Sequence, residues 1–61
     1  MTFAETTVLD IARNLSLMAR DLRRLCEARG VSDRDARDAI ANLWDSGYIN
    51  VGLDQRIKVN E

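Results

Sequence analysis

The spacing of the apolar residues changes at Gly47, and this change limits the folds that the chain can adopt. Before Gly47, apolar residues recur at helical spacing, at Ala36, Ala39, Ile40 and Leu43. After it, apolar and polar residues alternate in two short runs, as they do in half-buried strands. Gly52–Gln55 is a plausible four-residue connection between the runs. The pattern therefore predicts a helix over about 33–46 and a β-hairpin with strands over about 48–51 and 56–59.

Cap residues mark both ends of this helix. Ser32 is a good N-cap, and Asp35, three residues later, can complete a capping box. Gly47 suits the left-handed position that follows many helices, with Tyr48 next to it. Since an isolated hairpin is only marginally stable, the strands that follow must place their Ile/Val face on the helices.

The first half of the chain predicts two more helices. Thr2 and Glu5 form a capping-box pattern, and apolar residues at helical spacing follow it to about residue 14. A second segment, about 17–29, ends at Gly30 and places Met18, Leu22, Leu25 and Cys26 on one face. A single helix of about 24 residues is the alternative, because neither glycine nor proline interrupts the apolar pattern. Asn14 and Ser16 are cap-prone, so we predict two helices.

Composition restricts the class of protein. A chain of 61 residues forms one domain, predicted over 1–61, and its 46% hydrophobic content is that of a globular protein. One cysteine and no histidine exclude an internal disulfide and disfavour a zinc site. The first residues lack the basic and apolar regions of a signal peptide, and no apolar run is long enough to span a membrane. We therefore expect a soluble, cytoplasmic protein or a domain of a larger intracellular chain. We expect no enzyme activity, cofactor, bound metal or small-molecule substrate, because a general base and a glycine-rich phosphate loop are both missing.

The predicted order of helix, helix, glycine turn, helix and hairpin resembles the winged helix-turn-helix superfamily over nearly the whole chain. Gly30-Val31 is similar to the turn before the recognition helix of that superfamily, with the small residue Cys26 four positions earlier. The run from Leu43 through Gly47 to Ile49 resembles the end of a recognition helix that leads into a wing. The resemblance implies a mostly α fold with a small hairpin (α+β), but it does not identify a particular family.

The resemblance also implies DNA binding and a regulatory role, with the third helix in the major groove and the hairpin as the wing. The residues expected to read bases are Arg34, Arg37 and Asn42. The residues expected to contact phosphates are Arg20, Arg23, Arg24, Arg56 and Lys58. The net charge of −1 and the net charge of −2 on the third helix depart from this expectation, since DNA-binding domains usually carry a basic face.

The alternative is a winged helix that binds a protein or a second copy of itself. Its surface would combine the acidic third helix with three large apolar side chains, Trp44, Tyr48 and Leu53. Trp44 and Tyr48 are otherwise expected in the core and at its edge, with the interface as their alternative. Cys26 is expected as a small buried residue under both interpretations.

Overall fold

A computed structural model describes residues 1–60 and shows a small α+β fold. The helices are α1 (Phe3–Asn14), α2 (Ala19–Ala28) and α3 (Asp33–Asp45); the strands are β1 (Leu17–Met18), β2 (Ile49–Val51) and β3 (Arg56–Val59). The prediction of two helices before Gly30 is confirmed, with the break after Asn14. Three helices with a three-stranded antiparallel sheet are consistent with a winged-helix-like topology.

The N-caps of α1 and α3 form as the sequence predicts, but only α1 has the complete capping box, since the Asp35 carboxylate does not bond back to Ser32. The Thr2 hydroxyl accepts a hydrogen bond from the Glu5 amide, and the Glu5 carboxylate accepts one from the Thr2 amide, so the capping box is complete. The pKa of the Glu5 carboxyl group is lowered, chiefly because the Thr2 backbone amide donates to it and secondly because of the Thr2 side chain. At α3, the Ser32 hydroxyl accepts from the Asp35 amide at 3.1 Å.

Two glycines end α2 and α3 in the same way. Gly47 has φ +81°, and its amide donates to the carbonyl of Trp44, while the Tyr48 amide donates to the carbonyl of Leu43. Gly30, with φ +89°, repeats the arrangement at the end of α2. These are Schellman motifs, which satisfy carbonyls that the helix leaves free and reverse the chain within two residues.

The second helix begins two residues later than predicted, because Leu17 and Met18 are extended. Leu17 pairs with Ile57 and Met18 with Arg56, which makes β3 the middle strand in the order β1-β3-β2. The prediction of a two-stranded hairpin is therefore incomplete. In its extended conformation Leu17 packs against the core beside Ile57, and β1 supplies a hydrogen-bonding partner for an edge of β3 that would otherwise be unpaired.

All three helices and both long strands contribute to the core. Its largest fully buried side chains are Leu22, Leu43, Ile49, Ile57, Val8 and Cys26. The burial of Cys26 is confirmed, and this burial raises the pKa of its thiol. Across residues 1–60, no helix is both long enough and apolar enough to cross a membrane.

The expectation that Trp44 and Tyr48 lie in the core is wrong: they are 54% and 50% exposed. Trp44 lies beside the apolar stripe of α3, where Ile40 and Leu43 already fill the space against the other elements. Met18 and Leu25, predicted to share the buried face of the second helix, are also exposed. Met18 precedes the helix, and Leu25 lies at the margin of the face formed by Leu22 and Cys26.

Candidate functional site

The exposed surface of α3 has two flanks of different charge. One flank carries Arg37 and Trp44, with Asp33 beside them, and Arg34 lies on the ridge opposite the buried stripe. The other carries Asp35, Asp38 and Asn42, which line a shallow depression against the first turn of α1. The two flanks therefore differ in charge, although the sum over α3 is negative.

The basic flank of α3 continues onto α2 through shared ion pairs. Arg23 of α2 donates from Nε to Asp33 Oδ1 at 2.8 Å, and Arg37 Nε lies 2.9 Å from Asp33 Oδ2. Asp33 therefore holds one arginine from each helix. The side chain of Arg23 is only 23% exposed, so its guanidinium chiefly joins the two helices, whereas Arg37 remains accessible.

We call the surface formed by Arg20, Arg23, Arg34 and Arg37 the arginine face. Neither Arg20 nor Arg34 forms an ion pair or hydrogen bond with any of residues 1–60. Both guanidinium groups are exposed. Arg37, by contrast, pairs with Asp33 four residues earlier on α3. The arginine face therefore keeps unneutralised cations on both helices.

Asn42 does not lie with the two arginines that were predicted to read bases beside it. It lines the depression formed by Asp35, Asp38 and the first turn of α1, which includes Glu5. Because α3 packs on its Ala36–Leu43 stripe, Asn42 and Arg37 are directed to opposite flanks of the helix. All three side chains are exposed on α3, so their role in reading bases stays a prediction, with Asn42 on a different flank from Arg37.

The other predicted phosphate contacts are also dispersed. Arg24 is on the side of α2 opposite the buried Leu22 and Cys26, so it points away from the core. On β3, Arg56 and Lys58 flank the buried Ile57 and therefore occupy the outer face of the sheet. Arg56 is held there, since its Nη1 donates to the Ser16 carbonyl at 2.8 Å and its Nε lies 3.9 Å from Asp54. The predicted rim of cations around α3 is thus reduced to Arg20 and Arg23.

Trp44 forms one wall of an open groove of about 400 Å³ between α3, the start of α2 and the hairpin. Its apolar lining comes from Met18, Ala19, Ile40, Trp44, Val51 and Ile57, and its polar lining from Arg20 and Gln55. Neither this groove nor a role for Gln55 was predicted from the sequence. Gln55 has φ +64°, the left-handed conformation that closes the loop after Gly52. Alternation along the strands could have indicated Val51 and Ile57, but not the position of Met18 beside them.

The alternative protein interface is divided between different surfaces. Trp44 lines the groove next to Gln55, whereas Tyr48 lines a depression with Met1, Phe3 and Leu9. Leu53 is fully exposed at the tip of the hairpin and lines neither of them. Trp44, Tyr48 and Leu53 are all exposed, but they do not line a common depression.

No protein-family model matches the chain, and comparisons with curated proteins and with solved structures find no significant match. The resemblance to winged helix-turn-helix domains therefore depends on the sequence motifs and on the order of the elements.

Proposed function

We propose that this chain is a small winged-helix module that binds nucleic acid through the arginine face, most directly as a DNA-binding regulatory domain. The observation that carries the proposal is the set of arginines where α2 meets α3. Asp33 joins Arg23 to Arg37, and Arg20 lines the groove beside Trp44, whereas Asp35 and Asp38 line the depression against α1. Phosphate neutralisation depends on where cations lie rather than on net charge. A chain of net charge −1 can therefore still present a basic surface.

Within this proposal the arginines have different roles. Arg20, Arg34 and Arg37 have accessible guanidinium groups and contact phosphates or base edges. Arg23 is a positioning residue, because its bond to Asp33 fixes the angle between α2 and α3. The expected location is the cytoplasm, where a free thiol such as Cys26 stays reduced.

A titration followed by backbone amide NMR shifts tests the proposal. The chain is titrated with a mixed-sequence duplex and with a single strand, each at low and at physiological salt. We expect shifts along the arginine face that weaken as salt rises, because the interaction releases counterions. An absence of shifts with both ligands at low salt, where the attraction is strongest, would refute nucleic-acid binding.

Arg34→Ala should weaken binding at low salt several-fold and reduce the slope of log affinity against log salt by about 1, the effect of losing one phosphate contact. Fluorescence anisotropy of a labelled oligonucleotide measures both quantities. Lys58→Ala is the matched control, since it removes the same charge from the outer face of the sheet, away from the arginine face. Equal effects of the two substitutions would show that only the total charge matters.

A second candidate function is self-association, and a different surface favours it. Met1, Phe3 and Tyr48 are all exposed and line one depression on the α1 side of the molecule, where they form an apolar patch. Two copies joined there would also double the number of phosphate contacts available to a weakly charged module.

Phe3→Ser should convert any dimer to monomer without unfolding the chain, because Phe3 is exposed and its position in the first turn of α1 is set by the Thr2–Glu5 capping box. Sedimentation equilibrium over a range of concentrations measures the change. Leu53→Ser is the control, since it removes an exposed apolar side chain from the hairpin tip. A chain that stays monomeric at all concentrations before substitution would contradict self-association.

A further inference from the structure

The Trp44 groove combines an exposed aromatic ring with a preformed apolar wall. Slightly more than half of the Trp44 surface is open to solvent. The groove beside it is lined by Ile40, Val51 and Ile57, of which Ile57 is fully buried and therefore rigidly placed. A flat ligand that enters the groove would contact the indole ring and this wall together. A purine or pyrimidine base has that shape.

Charge around the groove favours a ligand that carries phosphate. Arg20 lines the groove itself, and Arg37 lies on the same flank of α3 as Trp44, two helical turns earlier. Arg34, exposed on the adjacent outer ridge at the start of α3, adds a third guanidinium. A nucleic-acid backbone that runs along these arginines, from the start of α3 toward its end, would place its bases against Trp44.

The outermost ridge of α3 is less suited to a duplex. Arg34 and Asp45 lie on this ridge, opposite the buried stripe, and Asp38 lies between the ridge and the depression against α1, so acidic side chains outnumber basic ones there. A helix inserted in the major groove brings its outermost ridge closest to the bases and its sides close to both phosphate backbones. Asp38 and Asp45 would enter that negative field, whereas a single strand along the arginine flank avoids it.

We propose that the ligand of the arginine face is single-stranded nucleic acid, with an unpaired base stacked on Trp44 and phosphates bound by Arg20 and Arg37. This inference rests on the proposed function and specifies its substrate class. Stacking of a base on an aromatic side chain contributes about 5- to 150-fold in affinity and tolerates any base. The site is therefore expected to distinguish single strands from duplexes more strongly than it distinguishes one base sequence from another.

Trp44 is the single tryptophan of the chain, so its fluorescence reports directly on the groove. The chain is titrated at low salt with an oligothymidylate of about ten nucleotides, within the usual site size of such surfaces. A mixed-sequence duplex of the same length is titrated in parallel. We expect the single strand to quench Trp44 emission on binding and the duplex to leave it nearly unchanged.

Substitutions at Trp44 separate stacking from simple apolar contact. Trp44→Leu should weaken binding of a labelled oligothymidylate at least five-fold by anisotropy, whereas Trp44→Phe should retain most of the affinity because it keeps an aromatic face. Thermal unfolding of both variants, followed by circular dichroism, checks that the half-exposed position tolerates them. Leu53→Ala is the control for loss of an exposed apolar side chain elsewhere on the hairpin side.

The outcomes distinguish the inference from the function on which it rests. Duplex binding as tight as single-strand binding, without quenching of Trp44, would overturn the inference and leave the proposed nucleic-acid binding intact. An unchanged affinity of folded Trp44→Leu for the single strand would overturn it as well. A lack of binding to either ligand at low salt would overturn both proposals.

Discussion

Leu22→Ala should lower the free energy of unfolding by about 2–5 kcal/mol, the usual cost of truncating a fully buried leucine. Leu22 has no exposed surface, and it packs in the cluster to which α1, α2, α3 and the sheet all contribute. A domain of 61 residues has a total stability of about 3–9 kcal/mol on the usual scale per residue. The substitution is therefore expected to remove most of the stability of the fold.

Urea denaturation followed by circular dichroism measures this loss. Leu25→Ala is the control within the same helix, because Leu25 is partly exposed at the margin of the buried face, and we expect it to cost less than half as much. Similar losses for the two variants would contradict the packing of α2 described above.

The double charge reversal Arg20→Glu with Arg34→Glu should reduce nucleic-acid affinity at low salt on the order of 100-fold. Each substitution removes a phosphate contact and replaces it with repulsion in the same place. Asp33 already forms ion pairs with Arg23 and Arg37, so the arginine face of the double variant would keep little positive charge that is not neutralised. Anisotropy with labelled single-stranded and duplex oligonucleotides measures the loss.

Arg13→Glu with Lys58→Glu is the matched control for this reversal. It changes the net charge by the same amount, but at two positions that line a depression between α1 and β3. We expect less than about five-fold loss, from weaker long-range attraction alone. Equal losses for the two double variants would show that the whole-chain charge governs binding and that the arginine face is not the site.

The predictable parts of the fold were those encoded by neighbouring residues. Ser32 and Gly47 marked the limits of α3 because capping and left-handed turns involve groups within a few positions along the chain. Leu17 could not be placed in the same way, since its extended conformation depends on Ile57, 40 positions later. The exposure of Trp44 likewise follows from packing between elements and not from its spacing within α3.

The same distinction applies to the candidate site. Helical spacing placed Arg34 and Arg37 correctly on the exposed surface of α3. It could not show that α1 packs beside Asn42, or that β3 turns Arg56 and Lys58 outward, because both depend on how the elements dock. The groove at Trp44 was missed for this reason, since its lining comes from residues distant in sequence.

The position of β3 also determines when this domain can fold during its synthesis. Strand β3 lies between β1 and β2, so residues 56–59 must be made before either neighbour finds its hydrogen-bonding partner. Ribosomes add about 5–20 residues per second, so the stretch from the end of α3 at Asp45 to the end of β3 at Val59 takes roughly 1–3 s to make. The sheet, and the part of the core that Leu17 and Ile49 form with Ile57, can therefore close only after the helices have all been made.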